Sequence, residues 1–256
     1  MTQPNPDSIQ NTFNISNSSI TNASGSGSIH YSNMASAQPP ENDKPYQQTI
    51  LFLAANPVST RPLRLDEEVR EIESGLQRSR HRDRFTLKQR WAVRPRDMQR
   101  ALLDCRPQIV HFSGHGIGQA TQHLATEDTR EISLDHSEPT AKVGLILEDP
   151  LGQPKLVSTE SLGALFELFA DSVECVLLNA CYSEQQAQAI AQHIPYVIGM
   201  NQAIGDRAAI EFAVGFYDAL GAGESVERAY KLGCVAIQMS NIPEHLTPLL
   251  VSQTSL

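Results

Sequence analysis

From Tyr46 onward, short apolar runs alternate with helix-patterned segments, and few folds accommodate that alternation. "TILFLAAN" (49–56) is an apolar run ending at Asn56-Pro57, and "LRLDEEVREIESGLQRS" (63–79) carries Leu65, Val69, Ile72 and Leu76 at helical spacing. The spacing predicts a strand followed by an amphipathic helix. "FTLKQRWAV" (85–93) alternates like a half-buried strand, "PRDMQRALLDCRP" (95–107) is a helix bracketed by prolines, and "QIVHFSGHG" (108–116) is a strand ending in glycines. "VGLILED" and "PKLVS" flank Pro150-Leu151-Gly152 as a hairpin, and "STESLGALFELFAD" (158–171) opens a helix with Ser158 or Thr159 as its cap. The run "VECVLLNACYSE" (173–184) is then a buried strand that surfaces at Asn179, and "PYVIGM" (195–200) is another. Helices are expected over 183–194, 206–223 and 225–239. This order predicts an α/β fold with a mostly parallel central sheet covered by helices on both faces.

The first 45 residues differ in kind. No Asp, Glu, Lys or Arg lies between Asp7 and Glu41, and "NTFNISNSSITNASGSGSIHYSN" is mostly Asn, Ser, Thr and Gly. Such a segment cannot bury a core alone. β-Favouring residues nevertheless recur in it as Phe13 with Ile15, Ile20, and Ile29 with Tyr31, each pair on one face of an extended strand. Two readings follow: a disordered polar tail, or short strands able to stack with copies of themselves. "AQPPENDKP" (37–45) reads as a linker, giving a tail and linker over 1–45 and one folded domain over 46–256.

Composition narrows the function classes. A net charge of −9 disfavours a nucleic-acid backbone as partner. No apolar stretch has the ~20 residues that span a bilayer, and no secretion signal is apparent, so a cytoplasmic protein without a membrane anchor is expected. The four cysteines, Cys105, Cys175, Cys181 and Cys234, form no C-x-x-C pair. His111 and His115 do not share a helical face, so neither a metal nor a cofactor is expected. The chain also lacks the G-x-G-x-x-G and phosphate-loop patterns of nucleotide binders.

In open α/β sheets, chemistry collects beyond the carboxyl ends of the strands. Two such ends carry reactive groups: "HFSGHG" places His115 between Gly114 and Gly116, and "LLNACYS" places Cys181 just past a strand. If these strands are neighbours, imidazole and thiol share a crevice. A helix beginning near Ser183 would favour the thiolate, and the amides of Gly116 and Cys181 could bind an oxyanion. His115 would then protonate the leaving amine. The bland alternative is a core cysteine and a turn histidine. Cys105, Cys175 and Cys234 lie in apolar patterns and read as packing residues.

"VHFSGHG" (110–116) with "VLLNACYS" (176–183) resembles the His-Gly and Cys motifs of caspase-like cysteine peptidases, and more closely those of the CHAT domain. The resemblance spans about residues 47–248, through "YVIGMNQAIGDRAA" to "NIPEHLTP". It implies a caspase-like sheet, a His115–Cys181 dyad and a protein substrate. By that architecture, pocket walls come from the loops around Asn56 to Arg64 and Asn201 to Asp206, with Asn179 two residues before the nucleophile. Metacaspase-type relatives have an acid at the Asn179 position, so their preference for basic residues does not carry over. Arg64 and Asp66 could instead form a helix-start ion pair, and Asp206 could be an N-cap. Residues 11–33 resemble the amyloid signalling motifs of bacterial effectors, which implies docking on a sensor of the STAND/NLR-like NTPase type, or a homo-oligomer or filament, in defence or regulated cell death. A catalytically silent caspase-like adaptor fits the same features. Arg130, Lys142 and Asp149 lie between the two motifs, where relatives can be processed.

Overall fold

The computed structural model describes residues 47–118 and 143–253, together with the backbone of two short strands, β1 (Phe13–Ile15) and β2 (Ser18–Ile20). The chain divides into two compact units, residues 1–44 and 45–256. In the first, β1 and β2 pair antiparallel with each other, Phe13 opposite Ile20 and Ile15 opposite Ser18. The rest of that segment, the 37–45 linker, Arg130 and Lys142 lie outside the described residues.

The second unit is built on a six-stranded sheet: β3 (Gln48–Ala54), β4 (Phe85–Arg90), β5 (Ile109–Ser113), β9 (Cys175–Asn179), β10 (Tyr196–Met200) and β11 (Pro248–Ser252). Its order is β11-β10-β9-β5-β3-β4, parallel except for β11. The sequence pattern did not anticipate β11, because "PLLVS" is too short and too near the chain end to be distinguished from loop. A smaller antiparallel sheet joins β6 (His115–Ile117), β7 (Gly144–Glu148) and β8 (Pro154–Ser158), the last two forming the expected hairpin. Asp149 Oδ1 closes that hairpin by accepting from the amides of Leu151 (2.7 Å) and Gln153 (2.8 Å).

Strand parity divides the core. Successive side chains of a strand point to opposite faces. Leu51 and Leu53 of β3, Val110 and Phe112 of β5, and Val176 and Leu178 of β9 therefore pack toward α2 (Pro95–Cys105), α3 (Thr159–Glu167) and α4 (Glu184–Ile190). Ile50, Phe52, Ile109, Cys175 and Leu177 pack toward α1 (Leu65–Arg78), α5 (Asp206–Ala222) and α6 (Val226–Met239). The same parity sends His111, Ser113 and Asn179 to the α1 and α5 face, and Cys181 lies two positions beyond Asn179. Ser158 caps α3 by accepting from the Ser161 amide, and Cys105 and Cys175 are buried as expected of packing residues. No helix of the described residues is long and apolar enough to cross a membrane.

Candidate active site

β5 and β9 are adjacent, and Ser113 stands opposite Asn179 in register. The two strands thus deliver His115 and Cys181 to the same edge of the sheet. Both residues line one small cleft of about 40 Å3, with Arg64 and Leu65 from the start of α1 and Asp206 and Ala209 from the start of α5. A larger cleft of about 430 Å3 lies elsewhere, around Trp91, Arg94 and Asp149, and contains neither group. The smaller cleft is the candidate site because it brings the two reactive groups together.

His115 is oriented by a backbone carbonyl: its Nε2 lies 3.0 Å from Arg61 O. A carbonyl only accepts, so in the neutral ring Nε2 carries the proton and Nδ1 keeps the lone pair. The Arg61 loop is shaped by Asn56, whose Nδ2 donates to Leu63 O while its Oδ1 accepts from the Leu63 amide, both at 3.3 Å. This explains why Asn56, expected at the pocket wall, is absent from the cleft lining: its side chain braces the loop. No side-chain pattern could reveal the Arg61 carbonyl.

Cys181 is gripped by the loop after β10. The Ile204 amide donates to its Sγ at 3.4 Å, and Sγ in turn contacts Ile204 O at 3.7 Å. That loop is itself tied down: Asn201 Nδ2 donates to Leu246 O (3.2 Å), Gln202 Nε2 to Thr247 Oγ1 (2.9 Å) and the Gly205 amide to Glu244 Oε2 (2.7 Å). Asn201 is accordingly exposed and acts as a tether, outside the cleft lining. Burial pushes the Cys181 thiol up, and the Glu244 and Asp206 carboxylates push it further, against the Ile204 hydrogen bond that lowers it. A lowered thiol pKa was expected from the sequence; burial and the two carboxylates act in the opposite direction. The helix start itself falls where the pattern put it, with Ser183 as N-cap and Glu184 as the first residue of α4; what the pattern did not carry was the burial of the thiol.

Two further expectations need correcting, and a third gains a structural reason. Arg64 does not pair with Asp66; its Nη1 meets Glu67 Oε2 at 2.8 Å and its Nε lies 4.0 Å from Asp206. Asp206 is the first residue of α5 and not its N-cap, which is Gly205. Gly116 must be glycine for an internal reason, since a Cβ there would run into the Cys181 carbonyl oxygen. The close approach is made by the chain's own Cys181 segment. Of the expected substrate-binding residues, Arg64, Asn179 and Asp206 do line the cleft.

Beneath His115 and Cys181 lies a polar cluster that the sequence did not single out. Glu68 of α1 is 2% exposed. It accepts from Ser113 Oγ at 2.5 Å and from Asn179 Nδ2 at 2.6 Å, and His111 Nε2 lies 3.1 Å away. Tyr217 of α5 meets His111 Nδ1 at 3.3 Å. The signal was present: Glu68 sits three after Leu65 and four before Ile72, inside the apolar stripe. Among the described residues no group of histidine, cysteine and carboxylate side chains could hold a metal ion.

A six-stranded, mostly parallel sheet flanked by helices, with His and Cys at neighbouring strand ends, defines a caspase-like α/β protein. The CHAT domain family model matches residues 7–241, and the chain belongs to that family. It is 24% identical over 196 residues to a "Probable protease" of Gillisia limnaea, covering 75% of this chain and 31% of that relative. It is 22% identical over 201 residues to a "Roc-COR-CHAT protease" from an unknown prokaryotic organism, covering 76% of this chain and 17% of that protein. The chain thus spans a third or less of these relatives' length. Among solved structures it resembles a secreted C11 cysteine protease from Bacteroides thetaiotaomicron in complex with an irreversible peptide inhibitor. That match has a TM-score of 0.56 and 14% identity, and covers 81% of this chain and 66% of the other. A second structure of a secreted C11 cysteine protease from that organism, "iotapain", matches with a TM-score of 0.50 at 11% identity, covering 81% of this chain and 67% of that one. The fold is the caspase-like one.

Proposed function

We propose that the chain is a cysteine endopeptidase acting on protein substrates through a His115–Cys181 dyad. The observation that carries this reading is the shared cleft at the ends of β5 and β9, with His115 oriented by the Arg61 carbonyl. In the reaction, the Cys181 proton passes to His115 Nδ1 as Sγ bonds to the scissile carbonyl carbon, whose oxygen becomes an oxyanion stabilised by the Gly116 and Cys181 amides. Collapse breaks the C–N bond, and the imidazolium returns the proton to the leaving amine. Water, deprotonated by His115, then releases the acyl group and restores the thiol. Arg64 and Asp206 contact the residue before the cut bond, while Asn179, 4% exposed and held by Glu68, supports the cleft from beneath. For turnover, the Ile204 loop must withdraw from Sγ.

Residues 11–33 gather copies of the chain or dock it on an NTPase sensor, raising the local concentration of catalytic units in defence or regulated cell death. The pairing of β1 with β2 within this segment supports the strand-forming part of this reading. A second reading, a silent adaptor, is favoured by one specific observation: the Cys181 thiol is covered and pushed up. Turnover of a fluorogenic peptide panel separates them. The endopeptidase loses all turnover in Cys181→Ala and nearly all in His115→Ala, and depends on residues 1–40; the adaptor turns over nothing, even once assembled.

A further inference from the structure

We infer that Glu68 is a positioning residue that sets the separation of His115 and Cys181; this rests on the dyad reading above. Register sets the two strand ends side by side. Ser113 lies two residues before His115 and Asn179 two before Cys181, and the two stand opposite each other on neighbouring strands. Both turn toward α1, where one buried carboxylate receives them: Ser113 Oγ donates to Glu68 Oε2 and Asn179 Nδ2 to Glu68 Oε1. One side chain on a third element therefore clamps both strand ends at equivalent distances from the reacting groups.

The clamp is held from below as well. His111 Nε2 approaches Glu68 Oε1 at 3.1 Å, off the line of a good hydrogen bond, while Tyr217 meets the other ring nitrogen. Asn179 Nδ2 also reaches Ala209 O on α5 at 3.2 Å, which ties the same strand end to the helix lining the far wall of the cleft. A buried carboxylate keeps its place only while its donors satisfy it, and the donors are fixed only while the carboxylate is there. Among the described residues His111 Nε2 and Asn179 Oδ1 are left without a hydrogen-bond partner, while the two bonds to Glu68 that hold the strand ends are made. Those bonds fix the spacing a dyad needs, since misplacement of a reacting atom by ~1 Å can cost about a hundredfold in rate. Glu68 touches neither dyad residue directly and acts through Ser113 and Asn179.

The test reads alkylation of Cys181 by iodoacetamide across pH in the full chain, located by mass spectrometry, alongside the melting temperature. Glu68→Gln keeps the shape but replaces a charged acceptor by a neutral amide, which weakens the bond from Asn179 and makes the Ser113 hydroxyl reverse from donor to acceptor. It should slow alkylation at neutral pH about tenfold and give a pH profile resembling that of His115→Ala. Ser113→Ala should move it in the same direction by less. The double variant Glu68→Gln with Asn179→Asp exchanges donor and acceptor across the same bond and should recover part of the loss. Buried Cys175 serves as the internal reference and should stay unlabelled throughout. An unchanged Cys181 profile in Glu68→Gln overturns the inference, as does slowing that tracks the melting temperature with Cys175 becoming labelled, since that marks general loosening. If His115→Ala itself leaves the Cys181 profile unchanged, the dyad reading fails instead.

Discussion

The two faces of the central sheet are built from the same strands and differ in kind. Toward α2, α3 and α4, strands β3, β5 and β9 present Leu51, Leu53, Val110, Phe112, Val176 and Leu178. Toward α1 and α5 the same strands place His111, Ser113 and Asn179 beside Phe52, Ile109 and Leu177, all over buried Glu68. The first face supplies burial, which is non-directional and tolerates repacking. The second adds hydrogen bonds with fixed geometry, which cost stability when broken and hold groups in place when kept. Only the second leads to the cleft.

The sharpest contrast comes from removing bulk on the dry face. Phe166→Ala, fully buried in α3, should cost about 3–5 kcal/mol in urea unfolding, while the Cys181 alkylation rate of the molecules that remain folded stays as it was. Next is His111→Leu, which leaves the buried Tyr217 hydroxyl short of its partner and removes the ring beside Glu68, and should cost about 1–3 kcal/mol. Unlike the first, it should also slow Cys181. Equal losses of Cys181 reactivity in both would erase the distinction between the faces.

The third prediction concerns alkaline pH. Burial pushes the Cys175 thiol from 9.0 to about 12. The unfolded chain releases this proton near its ordinary value and the folded chain retains it, so the contribution to stability is complete below pH 9 and is lost as the pH rises toward 12. The slope is about 1.4 kcal/mol per pH unit. In Cys175→Val, urea midpoints measured across this window should fall less steeply than in the unaltered chain. The smallest effect is expected for Glu244→Gln. Removing a carboxylate that pushes the Cys181 thiol up should modestly speed its alkylation at neutral pH; a slower rate would assign Glu244 a role in holding the nucleophile.

Much of the fold was legible because strand parity and helix period are written directly into residues such as Leu65, Val69, Ile72 and Leu76, all of which are buried. His115 and Cys181 were legible because reactive side chains at strand ends stand out against apolar runs. What stayed hidden depends on approach between distant segments. The Arg61 carbonyl has no side-chain signature, the Ile204 grip on Sγ joins residues far apart in the chain, and β11 becomes a strand only because β10 offers it an edge. Glu68 was overlooked because a carboxylate on an amphipathic helix is ordinarily solvated, and only the facing Ser113 and Asn179 make it a core residue.

The most direct measurement is labelling of the purified chain with a peptidyl acyloxymethyl ketone across a panel of side chains at the position before the reactive carbonyl, with adducts mapped by mass spectrometry. The account predicts an adduct on Cys181 among the four cysteines, dependent on the panel side chain, absent in Cys181→Ala and strongly reduced in His115→Ala. Adducts scattered over Cys105 and Cys234, or a Cys181 adduct indifferent to His115, would contradict it.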